Sequence, residues 1–496
     1  GTRGRLRIRL YKFMSKTHEG FSTRELKRIF SIVFAAYLVL TVAFYFLAGE
    51  QLRFRESRGD IELPAANAAT VELTAGSVVE QQFTPKIQIF EHISVQWGVF
   101  NRVNHGTVNV QLINLATQEV LLDQNLQADR MVEGQVTTFD FPSLENVCNV
   151  PLALRISSPD AVAGDALTPV MKSDAALENG QLFINGQAVA GELAFSATGR
   201  DYIWTGLHYW QFMIAGAVIL AAVLLTLLRK HQTGKKSLVL NAMLAMRRYR
   251  FLIKQLVDRD FKAKYKRSIL GVFWSFLNPL LNMIVQYVVF SNMFKFDIPY
   301  FPVYLLCGNV VFNYFSESCG MALTSIVGNA DLIKKVYVPK YIYPLTRIMS
   351  SLINMLISLI PLAAVALISG LLPNRTYLLL PFPLICLALF CLGLGMLLAS
   401  AMVFFRDIQF LWGVLTTIWM YLTPIFYPIT ALPDNIQAIV KFNPLYFFVT
   451  FLRSCVIDGL SPEPMMYVQC AMVALVTLAV GAFVFKKSQD NFVLYL

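Results

Sequence analysis

The chain has 496 residues, of which 56% are hydrophobic and only 15% charged, with a mean hydropathy of +0.54. Soluble domains carry about 25% charged residues, so a water-soluble enzyme of this length and a disordered chain are both excluded. The net charge of +11, from 42 basic and 31 acidic residues, leaves nucleic-acid binding open until the charges are placed along the chain.

Eight apolar runs are long enough to cross a bilayer core, which needs about 20 helical residues. They fall at 29–48 and 209–228, then at 270–290, 301–325, 343–369, 378–405, 410–427 and 465–485, a two-plus-six grouping. Asn309, Asn313 and Glu317 interrupt the fourth. With the amino terminus inside, the inner segments hold 29 basic and seven acidic residues, a net +22, and the rest of the chain carries −11. This bias predicts both termini on the cytoplasmic side and replaces the nucleic-acid reading with an oriented membrane protein whose basic side meets anionic lipid. The first residue is Gly1, and the first apolar run is too long and lacks a small-residue cleavage site, so no cleavable signal peptide is expected. The seven cysteines form no CxxC or Cys/His spacing, and Cys148 stands alone in a polar region, so no metal is expected.

Residues 49–205 differ in kind. They are acidic and alternate with period two: Val108, Val110 and Leu112; Leu152, Leu154 and Ile156; Ile93, Val95 and Trp97. Asn185-Gly186 between two short apolar runs reads as a two-residue hairpin turn. The expectation is an extracytoplasmic all-β sandwich of jelly-roll type. Such modules often bind sugars, and a purely structural role is the alternative. Trp97 and Phe100, with Phe139, are candidate sugar platforms, the competing reading being buried sandwich aromatics.

The segment 249–266 places Tyr249, Leu252, Ile253, Leu256, Val257 and Phe261 on one helical face and Arg247, Arg250, Lys254, Asp258, Lys262 and Lys266 on another. It is expected to lie amphipathically at the inner interface. Further on, Asp331 near the start of a short inner helix and Lys334 and Lys335 near its end complement the helix dipole. Pro424, Pro428 and Pro433 break the seventh run, and 435–442 and 446–457 read as a re-entrant pair of short helices. Trp412, Trp419, Tyr421, Phe426 and Tyr427 are candidate channel-lining aromatics whose faces suit the C–H faces of sugar rings, an aromatic belt being the alternative. Glu317 is the carboxylate expected inside a span, facing water or a dimer cavity. A P-loop needs GxxxxGK[ST] after a strand, and Gly234-Lys235-Lys236-Ser237 lacks the leading glycine. No ATPase is therefore read in this chain, and no catalytic set stands out.

Several words occur in order between the right spans: Arg259-Asp260-Phe261-Lys262-Ala263-Lys264-Tyr265, Leu270-Gly271-Val272-Phe273-Trp274, Asn278-Pro279-Leu280, Asn329-Ala330-Asp331-Leu332-Ile333-Lys334-Lys335-Val336-Tyr337, Phe405-Arg406-Asp407, Thr423-Pro424-Ile425-Phe426-Tyr427-Pro428 and Asn443-Pro444-Leu445. From about residue 238 onward the sequence resembles the type-2 ABC exporter permeases that move lipid-linked polysaccharides such as O-antigen, capsule and teichoic acid. The resemblance implies a homodimer of six-helix units around a channel, powered by two copies of a separate ATPase subunit that holds the ATP and magnesium. It implies a gate helix carrying Arg259, Asp260, Lys264 and Tyr265, and an ATPase-coupling loop carrying Asn329, Asp331, Lys334, Lys335 and Tyr337. The outer domain and first two spans depart from the minimal family pattern.

The expected organisation is a basic cytoplasmic segment 1–28, a span 29–48, the β-sandwich 49–205, a span 206–228, a basic segment with the gate helix 229–268, and a six-helix core 269–496, in a bacterial inner membrane. The expected function is export of a lipid-linked glycan, without catalysis in this chain. An exporter of small lipids or drugs, a membrane-anchored binding protein and a membrane-embedded glycan transferase are the alternatives. Six extra spans argue against the second, and the scarcity of acidic residues in the inner loops against the third.

Overall fold

The computed structural model describes residues 21–57, 61–174, 177, 179–235, 237–266, 268–293, 298–335 and 338–495. Two compact units result, one from the helices on either side of the insert and one from Arg53–Leu207.

The helical unit contains α1 (Thr23–Ala48), α2 (Tyr209–Gln232), α3 (Leu238–Tyr265), α4 (Phe273–Met293), α5 (Phe301–Leu323), α6 (Ala330–Lys335), α7 (Ile342–Ile368), α8 (Pro381–Phe404), α9 (Ile408–Leu422), α10 (Asp434–Lys441), α11 (Pro444–Arg453) and α12 (Pro464–Ser488). Among the described residues six helices are long and apolar enough to cross a membrane, those built on α1, α2, α4, α7, α8 and α12. The other two expected spans also form helices. The 23-residue α5 is broken in character by Asn309, Asn313 and Glu317, and α9 has only 15 residues because Pro424 follows it. The pair formed by α10 and α11 bends by 92°.

The helical core is organised by α5 and α8. Leu305, Leu306, Val311, Phe315 and Cys319 of α5 are fully buried, as are Leu387 and Cys391 of α8. They share one cluster with α7, α11 and α12. Helix α8 is apolar on every side, the pattern of a helix surrounded by other helices. Its closest neighbour is α12. A Cβ added at Gly481 would overlap the backbone of Gly393, and one added at Gly393 would overlap the backbone at Thr477. These glycines let two backbones touch, as small residues do at membrane helix contacts.

The strands of the insert are β1 (Phe54–Ser57), β2 (Ala68–Ala69), β3 (Val78–Phe83), β4 (Ile89–Gly98), β5 (Thr107–Asn114), β6 (Val120–Gln127), β7 (Val136–Glu145), β8 (Leu152–Ser157), β9 (Thr168–Lys172), β10 (Gln181–Ile184), β11 (Gln187–Val189), β12 (Glu192–Leu193) and β13 (Phe195–Tyr202). They form two antiparallel sheets. One runs β11-β10-β3-β8-β5-β6; the other runs β1-β13-β4-β9-β12 with β2 and β7 attached. Period-two alternation sends Val108, Val110, Leu112, Leu154 and Ile156 of the first sheet into the same core as Ile93, Val95, Trp97 and Phe195 of the second. Asn185 and Gly186 both have positive φ and join β10 to β11 with Ile184 opposite Gln187, a tight hairpin. The first and last strands pair with each other, Phe54 opposite Tyr202, and Ile203 N–H donates to the Arg53 carbonyl at 2.8 Å.

Three carboxylates pin loops of this domain. Asp160 accepts from the Thr107 amide at 2.7 Å, Asp165 from the His105 amide at 2.8 Å, and Glu72 from the Gly164 amide at 2.9 Å. Those amides, with Arg102 also bonded to Glu72, hold all three below the usual carboxylate range. A depressed pKa contributes stability above the unfolded value that is lost as pH falls through the folded one. The β-sheet melting temperature is therefore expected to fall on acidification below about pH 4, and Asp160→Asn to flatten that dependence, measured by circular dichroism of the whole protein. In the helical unit, Gly481→Ala is expected to destabilise by about 1–3 kcal/mol through overpacking. Gly413→Ala on α9, where a Cβ meets open space, is expected to be neutral or stabilising by up to about 1 kcal/mol. Thermal unfolding of both variants checks the contrast.

Candidate functional site

Helix α3 owes its placement to its two faces. Ile253, Leu256 and Val257 are buried in a cluster with Ile326, Val338, Ile342, Tyr343 and Met396, while Arg250, Lys254 and Lys262 stay outside. At the edge of this packing lies Asp260, 5% exposed. Its Oδ1 accepts from Arg259 Nε at 2.9 Å and lies 3.1 Å from Arg347 Nη1 on α7. Two guanidinium groups thus compensate a carboxylate that would otherwise be costly to desolvate. Arg259 also points both terminal nitrogens at Asn329 Oδ1, 3.4 Å away, and Asn329 Nδ2 donates to the Ser325 carbonyl at 2.7 Å. One gate-helix candidate, Arg259, and the first coupling-loop candidate are therefore joined directly. Helix α6 follows Asn329, packs Leu332 and Ile333 against the cluster, and leaves Asp331, Lys334 and Lys335 exposed. Tyr337 lies outside the described residues.

One turn beyond Asp260, α3 reaches a polar cavity of about 560 Å³ lined by Lys264, Tyr265, Asn278, Asn313, Glu317 and Asn354 among others. Lys264 Nζ is 2.8 Å from Glu317 Oε2, and the other carboxylate oxygen accepts from Asn354 Nδ2 at 2.6 Å. Tyr265 Oη donates to Asn354 Oδ1 at 2.9 Å and also meets Ser275 Oγ. Glu317 thus faces a polar cavity, but it is engaged there by the lysine of α3. The lining offers one cation, one anion and several amide and hydroxyl groups, a set suited to hydroxyl-rich or hydrated ligands.

At the opposite end of the bundle, α9 stops at Thr423-Pro424. Asn443 caps α11 by accepting from Leu445 N–H at 3.0 Å, accepts from Trp419 Nε1 at 2.8 Å, and donates to Thr423 Oγ1 at 2.8 Å. Arg453 donates to the carbonyls of Pro424 at 2.8 Å, Ile425 at 3.1 Å and Tyr304 at 3.2 Å, with its guanidinium 3.3 Å from the Tyr304 ring centroid. An arginine within an otherwise apolar run was the signal for this role, and sequence reasoning passed over it.

The aromatic candidates separate. Trp412 (7% exposed) and Phe426 (5%) are buried within this one chain, Trp412 against Phe315 and Trp419, Phe426 stacked on Phe290. Within the single chain their faces are taken up by packing against α5 and α4, so the expected channel lining falls more naturally to the remaining three. Trp419 and Tyr427 are half-buried. Tyr421 is exposed, and its carbonyl accepts from Tyr427 Oη at 2.7 Å. In the β-domain Trp97 is fully buried and Phe139 nearly so. Neither presents a face to a sugar, because both point to the core side of their strands. Phe100 is half-exposed, capped by Arg102 with its guanidinium 5.1 Å from the ring centroid. Trp204, which sequence reasoning did not single out, is largely exposed beside a groove lined by Gln88, Glu145, Asn146 and Tyr202.

Comparison with known proteins finds similarity over about half of the chain. Residues 251–457 match the family model described as ABC-2 type transporter. The O-antigen export system permease protein RfbA of Myxococcus xanthus is 30% identical over 246 residues, 49% of this chain and 95% of that protein. A protein of the same name from Klebsiella pneumoniae is 27% identical over 49% of this chain and 93% of its own length. The polysialic acid transport protein KpsM of Escherichia coli is 22% identical over 48% and 93% respectively. Since these relatives are nearly used up by half of this chain, they hold no counterpart of comparable size to its other half.

Arg453→Met is expected to leave three carbonyls unpaired at a cost of about 1–3 kcal/mol each. Arg453→Lys is expected to recover only part of the loss, because one ammonium cannot reproduce the planar fork. The thermal midpoint of the purified protein reads both.

Proposed function

The chain belongs to the ABC-2 type transporter family, and from that premise we propose that it is the membrane subunit of an exporter that moves a lipid-linked polysaccharide out of the cytoplasm. The observation that carries the mechanism is the bond network joining α3 to the turn before α6 through Arg259 and Asn329. In this reading α6 docks on a separate ATPase subunit, present in two copies with its own ATP and magnesium. Exposed Asp331, Lys334 and Lys335 supply the contacts, with Tyr337 as a further candidate. The partner's closure pushes α6, Arg259 and the Asp260–Arg347 pair pass the displacement to α3, and α3 acts as the gate. Lys264 and Glu317 close the polar cavity between strokes and part when the glycan advances, their hydrogen-bonding neighbours offering exchangeable partners to sugar hydroxyls.

The reading includes eight spans, with α5 and α9 crossing beside the six longer helices, both termini cytoplasmic and the β-domain on the far side of a bacterial inner membrane. It rests on the distribution of Lys and Arg, whose excess follows the inner segments. The channel lies between two copies of the chain. Val285 and Val288 of α4 and Val414 and Ile418 of α9 are more than half exposed, which leaves an apolar face for a second copy, with Trp419, Tyr421 and Tyr427 near the exit. The β-domain, a two-sheet sandwich that we read as a jelly roll, shields or holds the emerging glycan, and it exposes Phe100 and Trp204.

Deleting the chain is expected to make a lipid-linked glycan accumulate inside the cell, detected by mass spectrometry of extracted lipids; an unchanged lipid-linked pool contradicts the proposal. Arg259→Ala is expected to leave ATP hydrolysis by the assembled exporter in place while export falls, because α3 loses its hydrogen bonds to the turn before α6 and receives less of the push. Glu317→Leu is expected to lower export without loss of expression, and unchanged export refutes its gate role.

A further inference from the structure

Helix α3 is a single helix of 28 residues, about 42 Å long at 1.5 Å per residue. Its second half is held by α7 and the turn before α6. Its first half meets a different partner. Leu240 is buried in a cluster with Leu26 and Phe30 of α1 and Leu227 of α2, with Met243 packed alongside. Seven residues after Leu240, Arg247 forks onto Glu25 of α1, Nη1 to Oε2 at 3.0 Å and Nη2 to Oε1 at 3.3 Å, and lies 4.9 Å from the Phe21 ring centroid. Glu25 is itself fixed, since Oε2 accepts from the Ser22 amide at 3.1 Å. Fork-to-fork pairing restricts orientation as well as distance. Helix α1 is anchored in turn. Tyr37 Oη donates to the Met213 carbonyl at 2.9 Å and Tyr209 Oη to the Thr41 carbonyl at 2.7 Å, which ties α1 to α2. At its other end Phe44 packs edge-on against Tyr467 of α12, centroids 4.9 Å apart.

We propose that the α1–α2 pair is a strut that positions the gate helix, with Glu25 as the positioning residue that fixes the first half of α3 through Arg247. A helix held at Arg247 and again at Asp260 cannot slide along its axis or rotate without breaking one of the two stations, whereas one held only at Asp260 can pivot about it. The strut therefore supplies a restraint from two helices that lie outside the expected six-helix core. It sets how far α3 travels for each push received at Asn329. This inference rests on the gate role proposed above for its consequence, but the positioning itself does not depend on that role.

The test separates the two. Glu25→Arg and Arg247→Glu each put like charges together, and the double exchange restores the pair with reversed sign. In the purified full chain, without cargo or ATPase, hydrogen–deuterium exchange of residues 238–250 is expected to quicken in each single variant by about twofold to fivefold, the range for a half-exposed ion pair, and to return to the wild-type rate in the double variant. Glu25→Gln, which keeps the size of the side chain, is expected to move it in the same direction by less, and serves where charge reversal prevents folding. Exchange unchanged in the folded single variants, or a double variant as fast as either single, overturns the positioning role. In the assembled exporter the ratio of glycan exported to ATP hydrolysed is expected to fall in the singles and recover in the double. Altered exchange with an unaltered ratio upholds the strut and overturns the gate role of α3.

Discussion

A carboxylate almost without exposure, Asp260, sits where α3, α7 and the turn before α6 converge. Removing one partner from a buried ion pair leaves an uncompensated charge, so this one group fixes the register of α3 against α7 together with the apolar contacts around it. The rest of that end of the bundle follows from the register. Lys264, four residues on, comes to the same side of the helix and meets Glu317. Tyr265 comes to Asn354. Arg259, its Nε committed to Asp260, has its terminal nitrogens turned toward Asn329. A single slip of α3 would break all of these together, which is the behaviour expected of an element with discrete positions.

The other end solves the converse problem. There the chain leaves helical geometry at Thr423-Pro424, and carbonyls freed from the helix ladder must be satisfied within protein. Arg453 does so without a carboxylate partner among its described hydrogen bonds, spreading one cation over three carbonyls and the face of Tyr304. Asn443 performs a smaller version by capping α11 while holding Trp419 and Thr423. One end is thus pinned by a paired charge whose partners lie on separate elements, the other by a cation bonded to backbone. Displacing α3 requires exchanging partners, whereas displacing Pro424 requires abandoning them, so motion is cheaper at the first end.

Local physics made much of this legible. The period of Val108, Val110 and Leu112 gave the buried side of β5, Asn185-Gly186 gave a hairpin, and the apolar and basic faces of 249–266 gave the second half of α3, which begins eleven residues earlier, and its buried side. What local pattern does not contain is partnership across the chain. Lys264 and Glu317 are 53 positions apart, Arg259 and Asn329 are 70, and Arg247 and Glu25 are 222; nothing in the neighbourhood of either member names the other. Aromatic side chains posed the opposite difficulty. Trp97 and Phe100 are three residues apart and differ completely in exposure, because Trp97 lies on a core-facing strand position and Phe100 beyond the strand's end, in a left-handed turn. Trp412 and Tyr421 differ in the same way on α9. Residue type nominated these positions, but only the face of the element decided among them.

The pairing of β1 with β13 has a consequence for the history of such a chain. The inserted domain is closed on itself: its two ends leave as neighbouring strands, bonded to each other at Arg53 and Ile203. A module whose ends already lie together can be spliced into a connection between two helices with little disturbance to either, because the entropy of closing a loop grows only slowly with its length and the tethers to the host need no particular reach. It is a cassette, in the sense that its removal or exchange leaves the flanking helices joinable by a short turn. An exchange of such a cassette leaves the contacts around Asp260, which lie wholly within the helical unit, untouched.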